Sequence, residues 1–187
     1  MEILFEIKNS TGVIKLNRPK ALNALNLNMA EQFSNKLMEW EKDNKIERVL
    51  LKGEGKHFCA GGDVKSVYQS GKFSKLKSEF FSKEYSLNLQ IKQFPKPYLS
   101  IWKGVVMGGG VGLSIYGDYR VVTESTKFAM PETSIGFFPD VGASFFLSKL
   151  DNNIGKYLGL TGEILKSEDL LKFGLATHYC PEKEIDN

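Results

Sequence analysis

Gly104-Val105-Val106-Met107-Gly108-Gly109-Gly110-Val111-Gly112-Leu113-Ser114-Ile115-Tyr116-Gly117 places six glycines in fourteen residues, close behind the apolar run Tyr98–Trp102. That run reads as a buried strand, and Leu113–Tyr116 reads as a short helix continuing after the cluster. Inside a helix each glycine costs about 1 kcal/mol relative to alanine, so packing alone does not select them. Glycine belongs where a main chain must approach something closely, or where backbone N–H groups must face a ligand. The stretch therefore predicts a backbone-built binding site at a strand-to-helix turn. Cys59-Ala60-Gly61-Gly62-Asp63 has the same form: it follows a strand-like run and precedes a short helix.

Outward from these two turns, strands and helices alternate. Glu2–Lys8 and Gly12–Asn17 read as a hairpin around Asn9-Ser10. In Asn28–Asn44, Met29, Phe33, Leu37 and Trp40 recur at helical spacing, and Asn28 with Glu31 resembles a capping box. Arg48–Lys52 is a compact apolar strand, and a glycine-punctuated loop runs from Gly53 to Asp63. Phe73–Phe94 reads as a second long helix, stopped by Pro95-Lys96-Pro97. Asp118–Val122 and Lys127–Met130 look like strands, and short helices start near Pro131, Val141, Ile154 and Ser167. This alternation predicts an α/β fold, with one domain over residues 1–187.

Composition narrows the function classes. A net charge of +3, with bases scattered among acids, gives no footprint for nucleic acid. No window reaches the roughly 18 apolar residues of a membrane span. The two cysteines, Cys59 and Cys180, have neither metal nor disulfide spacing, which fits a reducing compartment. With His57 and His178 as the only histidines, a multi-histidine metal site is excluded. The dinucleotide fingerprint fails because Leu113 stands where its third glycine belongs, and the P-loop fails because Gly110 stands in place of lysine. What remains is a pair of turns that are either simply tight or could each supply one N–H to a single oxygen, which is how a developing oxyanion is stabilised.

Three acids accompany these turns. Glu84 interrupts the otherwise apolar stripe Phe73, Leu76, Phe80, Leu87, Ile91 and faces either a cavity or a lysine. Glu132 follows Pro131 in a first helical turn, where an acid also serves the helix dipole. Asp140 lies among Phe137, Phe138, Pro139 and Val141, as an N-cap of the next helix or as a carboxyl whose apolar setting raises its pKa. Cys59, His57 and His178 read as packing residues.

Together these segments resemble the crotonase (enoyl-CoA hydratase/isomerase) superfamily and, within it, the 3-hydroxyisobutyryl-CoA hydrolases. The resemblance is carried by Leu16-Asn17-Arg18-Pro19-Lys20-Ala21-Leu22-Asn23-Ala24-Leu25, Phe58–Asp63, Met107–Gly112, Phe128–Thr133 and Gly136–Gly142. It implies a spiral of ββα units that binds an acyl-CoA thioester, with Gly62 and Gly109 as the oxyanion hole. It assigns Glu132 and Asp140 as catalytic acids, and Glu84, Gly109, Glu132 and Asp140 as substrate contacts. Lys20, Ala21, Leu22, Ala24, Ala60 and Gly61 would line the CoA. Hydratases of the superfamily carry a second glutamate at the position of Gly112, so its absence leans toward thioester hydrolysis.

The reaction implied is hydrolysis of a short branched hydroxyacyl-CoA, as in valine catabolism. No metal or cofactor is implied, since coenzyme A is part of the substrate. Neither nucleic acid nor membrane is an expected partner, and a homo-oligomer is left open. The alternatives are enoyl-CoA hydration or isomerisation, and acyl-CoA binding without turnover. The family's hydrolases are longer, so 1–187 is expected to be the acyl-CoA-binding core, lacking the C-terminal helical region. The family further implies a mitochondrial location, with a peroxisome or the cytoplasm as alternatives, although no targeting pattern is visible at Met1.

Overall fold

The structure, a computed structural model, describes residues 1–185; the last two residues of the charged stretch 181–187 lie outside the described residues. β1 (Ile3–Lys8) and β2 (Thr11–Leu16) form the expected antiparallel hairpin, with Asn9 in the left-handed conformation that a short polar side chain tolerates. α1 (Leu27–Lys42) buries Met29, Phe33, Leu37 and Trp40. Its cap is Asn26 and not the expected Asn28: the Asn26 side chain accepts from the Met29 N–H at 2.9 Å and donates to Glu2 at 2.8 Å. Tethering to Glu2, the residue before β1, fixes the helix start two residues earlier than the capping-box pattern suggests.

β3 (Arg48–Gly53) is followed by α2 (Val64–Gln69) and α3 (Leu76–Gln93). α3 begins later than periodicity predicts. The Ser74 hydroxyl accepts from the Leu76 N–H at 3.1 Å, and Phe73 stays outside the helix, 96% exposed. β4 (Tyr98–Trp102) and β5 (Val105–Met107) precede α4 (Gly109–Gly112). The helical turn thus consists of the glycines themselves, and Leu113–Tyr116 form turns after it rather than the expected helix. A Cβ on Gly110 would lie 2.8 Å from the Cβ of Cys59 and would overlap its carbonyl oxygen, so close approach selects glycine despite its helix cost.

β6 (Tyr119–Val122), β7 (Lys127–Ala129), α5 (Ala143–Leu147), α6 (Ile154–Thr161), α7 (Ser167–Lys172) and β8 (His178–Tyr179) complete the order, with a 3₁₀ turn at Glu132–Ile135. The larger sheet runs β1-β2-β3-β4-β6-β8, parallel at every junction except β1–β2. A second layer stacks beside it. Leu25 bridges Gly62, Cys59 bridges Val106, β5 pairs with β7, and Phe128 bridges Leu165. Each turn of the chain therefore gives one strand to the first layer, a short extended segment to the second, and then a helix. This is the α/β spiral of ββα units expected from the sequence. Leu16, Phe58, Trp102, Val106 and Phe128 are buried in the core, with Trp102 and Phe128 stacked at 5.6 Å.

Candidate active site

The spiral sets Gly62 and Gly109 at the same place in successive turns, each where the second-layer segment hands over to a helix. A Cβ on Gly109 would stand 3.0 Å from the Gly62 nitrogen, so the two turns are in near contact. Among the described residues, neither the Gly62 nor the Gly109 N–H donates to a protein acceptor. Two adjacent unpaired N–H groups at consecutive helix starts suit an oxygen that carries negative charge. Asp63 fixes one of them: its carboxylate caps α2 through the Ser66 N–H at 3.0 Å and pairs with Arg18 at 2.9 Å. Burial alone raises the Asp63 pKa, but those hydrogen bonds outweigh it and hold the group below its usual range.

Arg18 also donates to the Ala24 carbonyl at 2.7 Å and pairs with Glu2 at 2.9 Å. Residues 18–24 are therefore clamped against the 60–63 turn. The Ala60 N–H donates to the Leu22 carbonyl at 3.0 Å, and the Leu25 N–H to the Gly61 carbonyl at 2.8 Å. Lys20, Ala21, Leu22 and Ala24 thus share one edge with Ala60 and Gly61, and Lys20 is exposed there. Leu22 and Asn23 both take positive φ, uncommon for residues other than glycine. Asn23 holds that conformation by accepting from the Arg18 N–H at 2.8 Å and donating to the carbonyls of Glu54 and His57 at 3.0 and 2.7 Å.

The three acids converge on the glycine turn. The Glu84 Oε1 fills the space that a side chain on Gly109 would need, and the Glu132 Oε1 lies 2.8 Å from the Cβ position of Gly108. Glu84 is 2% exposed and Glu132 8%, and each keeps one buried oxygen without a hydrogen-bond partner. Burial, reinforced by the Asp140 and Glu132 charges, pushes Glu84 up to about 8. Burial likewise pushes Glu132 up to about 7, with Asp140 adding to the shift. Asp140 is raised by burial and partly held down by the Tyr85 hydroxyl, which donates to its Oδ2 at 2.7 Å. Asp140 is not the cap of α5, which starts after Gly142 with no side-chain cap, so its carboxylate is free to take Tyr85 instead.

Three further residues take part, to which the sequence assigned no individual role. Tyr85 holds Asp140, Asn23 shapes the 18–24 loop, and Asn88 lies against Gly112 with its amide nitrogen and oxygen both buried and unpaired. Periodicity on α3 could have found Asn88, because it stands one turn after Glu84 on the same face. Cys59 is buried and its thiol is pushed up to about 12, so it serves as packing. His57 accepts from the Val105 N–H at 3.2 Å, and His178 lies exposed on the edge strand β8, on an edge of the sheet. A groove of about 640 Å³ between α5 and α6 is lined without a single carboxylate. The acids and the paired N–H groups therefore locate the site.

A sequence profile described as enoyl-CoA hydratase/isomerase matches residues 11–187. The mitochondrial 3-hydroxyisobutyryl-CoA hydrolase of Danio rerio is 50% identical, over 100% of this chain and 49% of its own length. The mitochondrial 3-hydroxyisobutyryl-CoA hydrolase of Homo sapiens is 47% identical, over 98% of this chain and 48% of its own length. The chain thus spans about half the length of these curated relatives. Among solved structures, a carnitinyl-CoA dehydratase from Mycobacterium thermoresistibile superposes with a TM-score of 0.96 at 43% identity, over 99% of this chain and 55% of that one.

Proposed function

The chain belongs to the enoyl-CoA hydratase/isomerase family, and from that premise we propose that it hydrolyses a short branched hydroxyacyl-CoA thioester of the 3-hydroxyisobutyryl-CoA type. The observation that carries this reading is the Gly108–Gly112 turn. Two carboxyls, Glu84 and Glu132, stand over its first residues beside the unpaired N–H groups of Gly62 and Gly109, and no carboxylate stands at Gly112. Water addition across a double bond calls for a second acid there; acyl transfer needs one base or nucleophile and an oxyanion hole. The two curated relatives, both 3-hydroxyisobutyryl-CoA hydrolases, point the same way.

In this reading Gly62 and Gly109 hold the thioester oxygen as it becomes an oxyanion. Glu132 either draws a proton from water or attacks the carbonyl to give a mixed anhydride that water then opens. Both routes turn thioester and water into a carboxylic acid and free CoA thiol. Asp140 carries the proton to the leaving sulfur or orients the polar end of the acyl group, and Glu84 orients that end or Glu132. Lys20–Ala24 and Ala60–Gly61 contact the CoA, and no further cofactor takes part. Among the described residues no helix is long and apolar enough to cross a membrane. We place the protein in the mitochondrion on the names of its relatives, with the peroxisome and cytoplasm as the other compartments to test.

The expected result with the full-length protein is thiol release from 3-hydroxyisobutyryl-CoA and none from crotonyl-CoA. Loss of enoyl absorbance without thiol release would instead make it a hydratase or isomerase. Binding without either signal would leave an acyl-CoA-binding protein.

The raised carboxyls predict opposite pH trends for activity and stability. Glu132 must be ionised to act, so kcat/KM should rise with pH through about 7. Folded Glu84 and Glu132 hold their protons to about 8 and about 7, whereas unfolded carboxyls release them near the ordinary 4.5. The folded state then binds more protons across that window, and its stability falls as pH rises. Melting temperatures measured between pH 5 and 8.5 should decline while activity climbs; a melting temperature that rises with pH contradicts this account of the two acids.

A further inference from the structure

We propose that Asn88 reads a hydroxyl on the acyl group, taking one hydrogen bond from it and giving one back. This rests on the acyl-CoA reading above for its substrate class, though not on hydrolysis itself. Asn88 is 5% exposed, and both the nitrogen and the oxygen of its side chain lack partners among the described residues. A buried amide left in that state costs stability, so a folded chain keeps one where a ligand completes it.

Its place fits such a ligand. Asn88 follows Glu84 by about one helical turn, roughly 6 Å along α3, and faces the other end of the same glycine turn whose start lies beside the thioester donors. Both amide atoms would be 2.9 Å from a Cβ on residue 112, so the absence of a side chain there lets the amide lie against the turn, beside Val141. A cavity of about 310 Å³ lined by Tyr85, Asn88, Val141 and Gly142 adjoins it. Asp140, whose Oδ2 accepts from Tyr85, offers a hydroxyl only acceptor sites when ionised, whereas the Asn88 amide offers a donor and an acceptor together.

The chemistry selects the group. An amide presents one donor edge and one acceptor edge, and a hydroxyl is the smallest substituent that answers both. A methyl answers neither, and an oxo group only accepts. Exchanging the assigned amide nitrogen and oxygen changes nothing, since a hydroxyl serves either order. Gly112 and Asn88 thus exchange a carboxylate over the turn for a neutral amide that discriminates hydroxyacyl from simple acyl chains.

The test is calorimetric binding of two non-hydrolysable thioether analogues to the full-length protein, one of a 3-hydroxyacyl-CoA and one of its deoxy counterpart. Wild type should prefer the hydroxylated analogue by about tenfold or more, and Asn88→Leu should reduce that preference to within about twofold. A wild type that binds both within twofold overturns the proposal without any variant being needed, as does an Asn88→Leu protein that retains the preference. CoA thiol release is measured separately. A hydroxyl preference without thiol release defeats the hydrolase reading and keeps Asn88 as the hydroxyl reader; thiol release without preference does the reverse.

Discussion

Glu132→Gln is expected to lower CoA thiol release by roughly 10²- to 10⁴-fold, the range over which a positioned acid–base group contributes. Glutamine keeps the size and the hydrogen-bonding outline of the side chain, so the 3₁₀ turn at Glu132–Ile135 and its packing against Gly108 should persist. What is lost is the ionisable oxygen. Glu132 keeps one buried oxygen that no protein group occupies, beside the glycine turn. Its raised pKa, about 7, is suited to exchanging a proton near neutral pH. The pH profile adds a second readout: the rise in kcat/KM through that value should vanish in whatever activity remains. If the variant releases thiol at close to the wild-type rate, Glu132 is not the base or nucleophile, and the proposed chemistry fails with it.

Gly109→Ala should be almost as damaging, for a different reason. The added methyl would stand 3.0 Å from the Gly62 nitrogen and on the site of the Glu84 carboxyl, between the two donors where the thioester oxygen has to sit. Removing one donor of such a pair typically costs 10²–10³ in kcat, about 3–4 kcal/mol of barrier. Gly109 has no positive φ, so alanine meets no φ strain there, but its methyl would displace the buried end of Glu84 and press on the Gly62 nitrogen at 3.0 Å and the Gly61 carbonyl carbon at 3.3 Å. Circular dichroism checks that the variant folds, and the kcat of the folded protein is expected to fall by about two orders of magnitude. Gly62→Ala is the poorer probe, because its methyl would press on buried Phe80 at 2.9 Å and confuse folding with catalysis. A Gly109→Ala enzyme with kcat near wild type would remove Gly109 from the oxyanion hole.

The sequence carried much of this site. Glycine clusters announce a backbone that must be approached, and they do so locally, because the cost of glycine is local. Glu84 and Asp140 were visible as charges in apolar settings, whereas Glu132 read alone as a first-turn helix acid and gained its role from the family resemblance. Less legible were the polar residues that act through a neighbour. Tyr85 reads as one more aromatic on α3, and nothing in the spacing says that its hydroxyl meets Asp140 across 55 positions of sequence. Helix starts were misplaced where a tertiary tether overruled the local pattern, as when Glu2 fixes Asn26 as the cap of α1.

By itself, then, the sequence determined the alternation of strands and helices, the two backbone turns and the residue types around them, since propensity, periodicity and glycine conformation are short-range properties. Only the tertiary structure decided which of them meet. Parallel strands gain nothing until residues far apart in the chain are brought together, and the spiral's repeat is what sets Gly62 against Gly109. The same stacking gave the acids their function: burial, which no single stretch of chain encodes, separates Glu84 and Glu132 from ordinary surface carboxylates and leaves the Asn88 amide waiting for a partner.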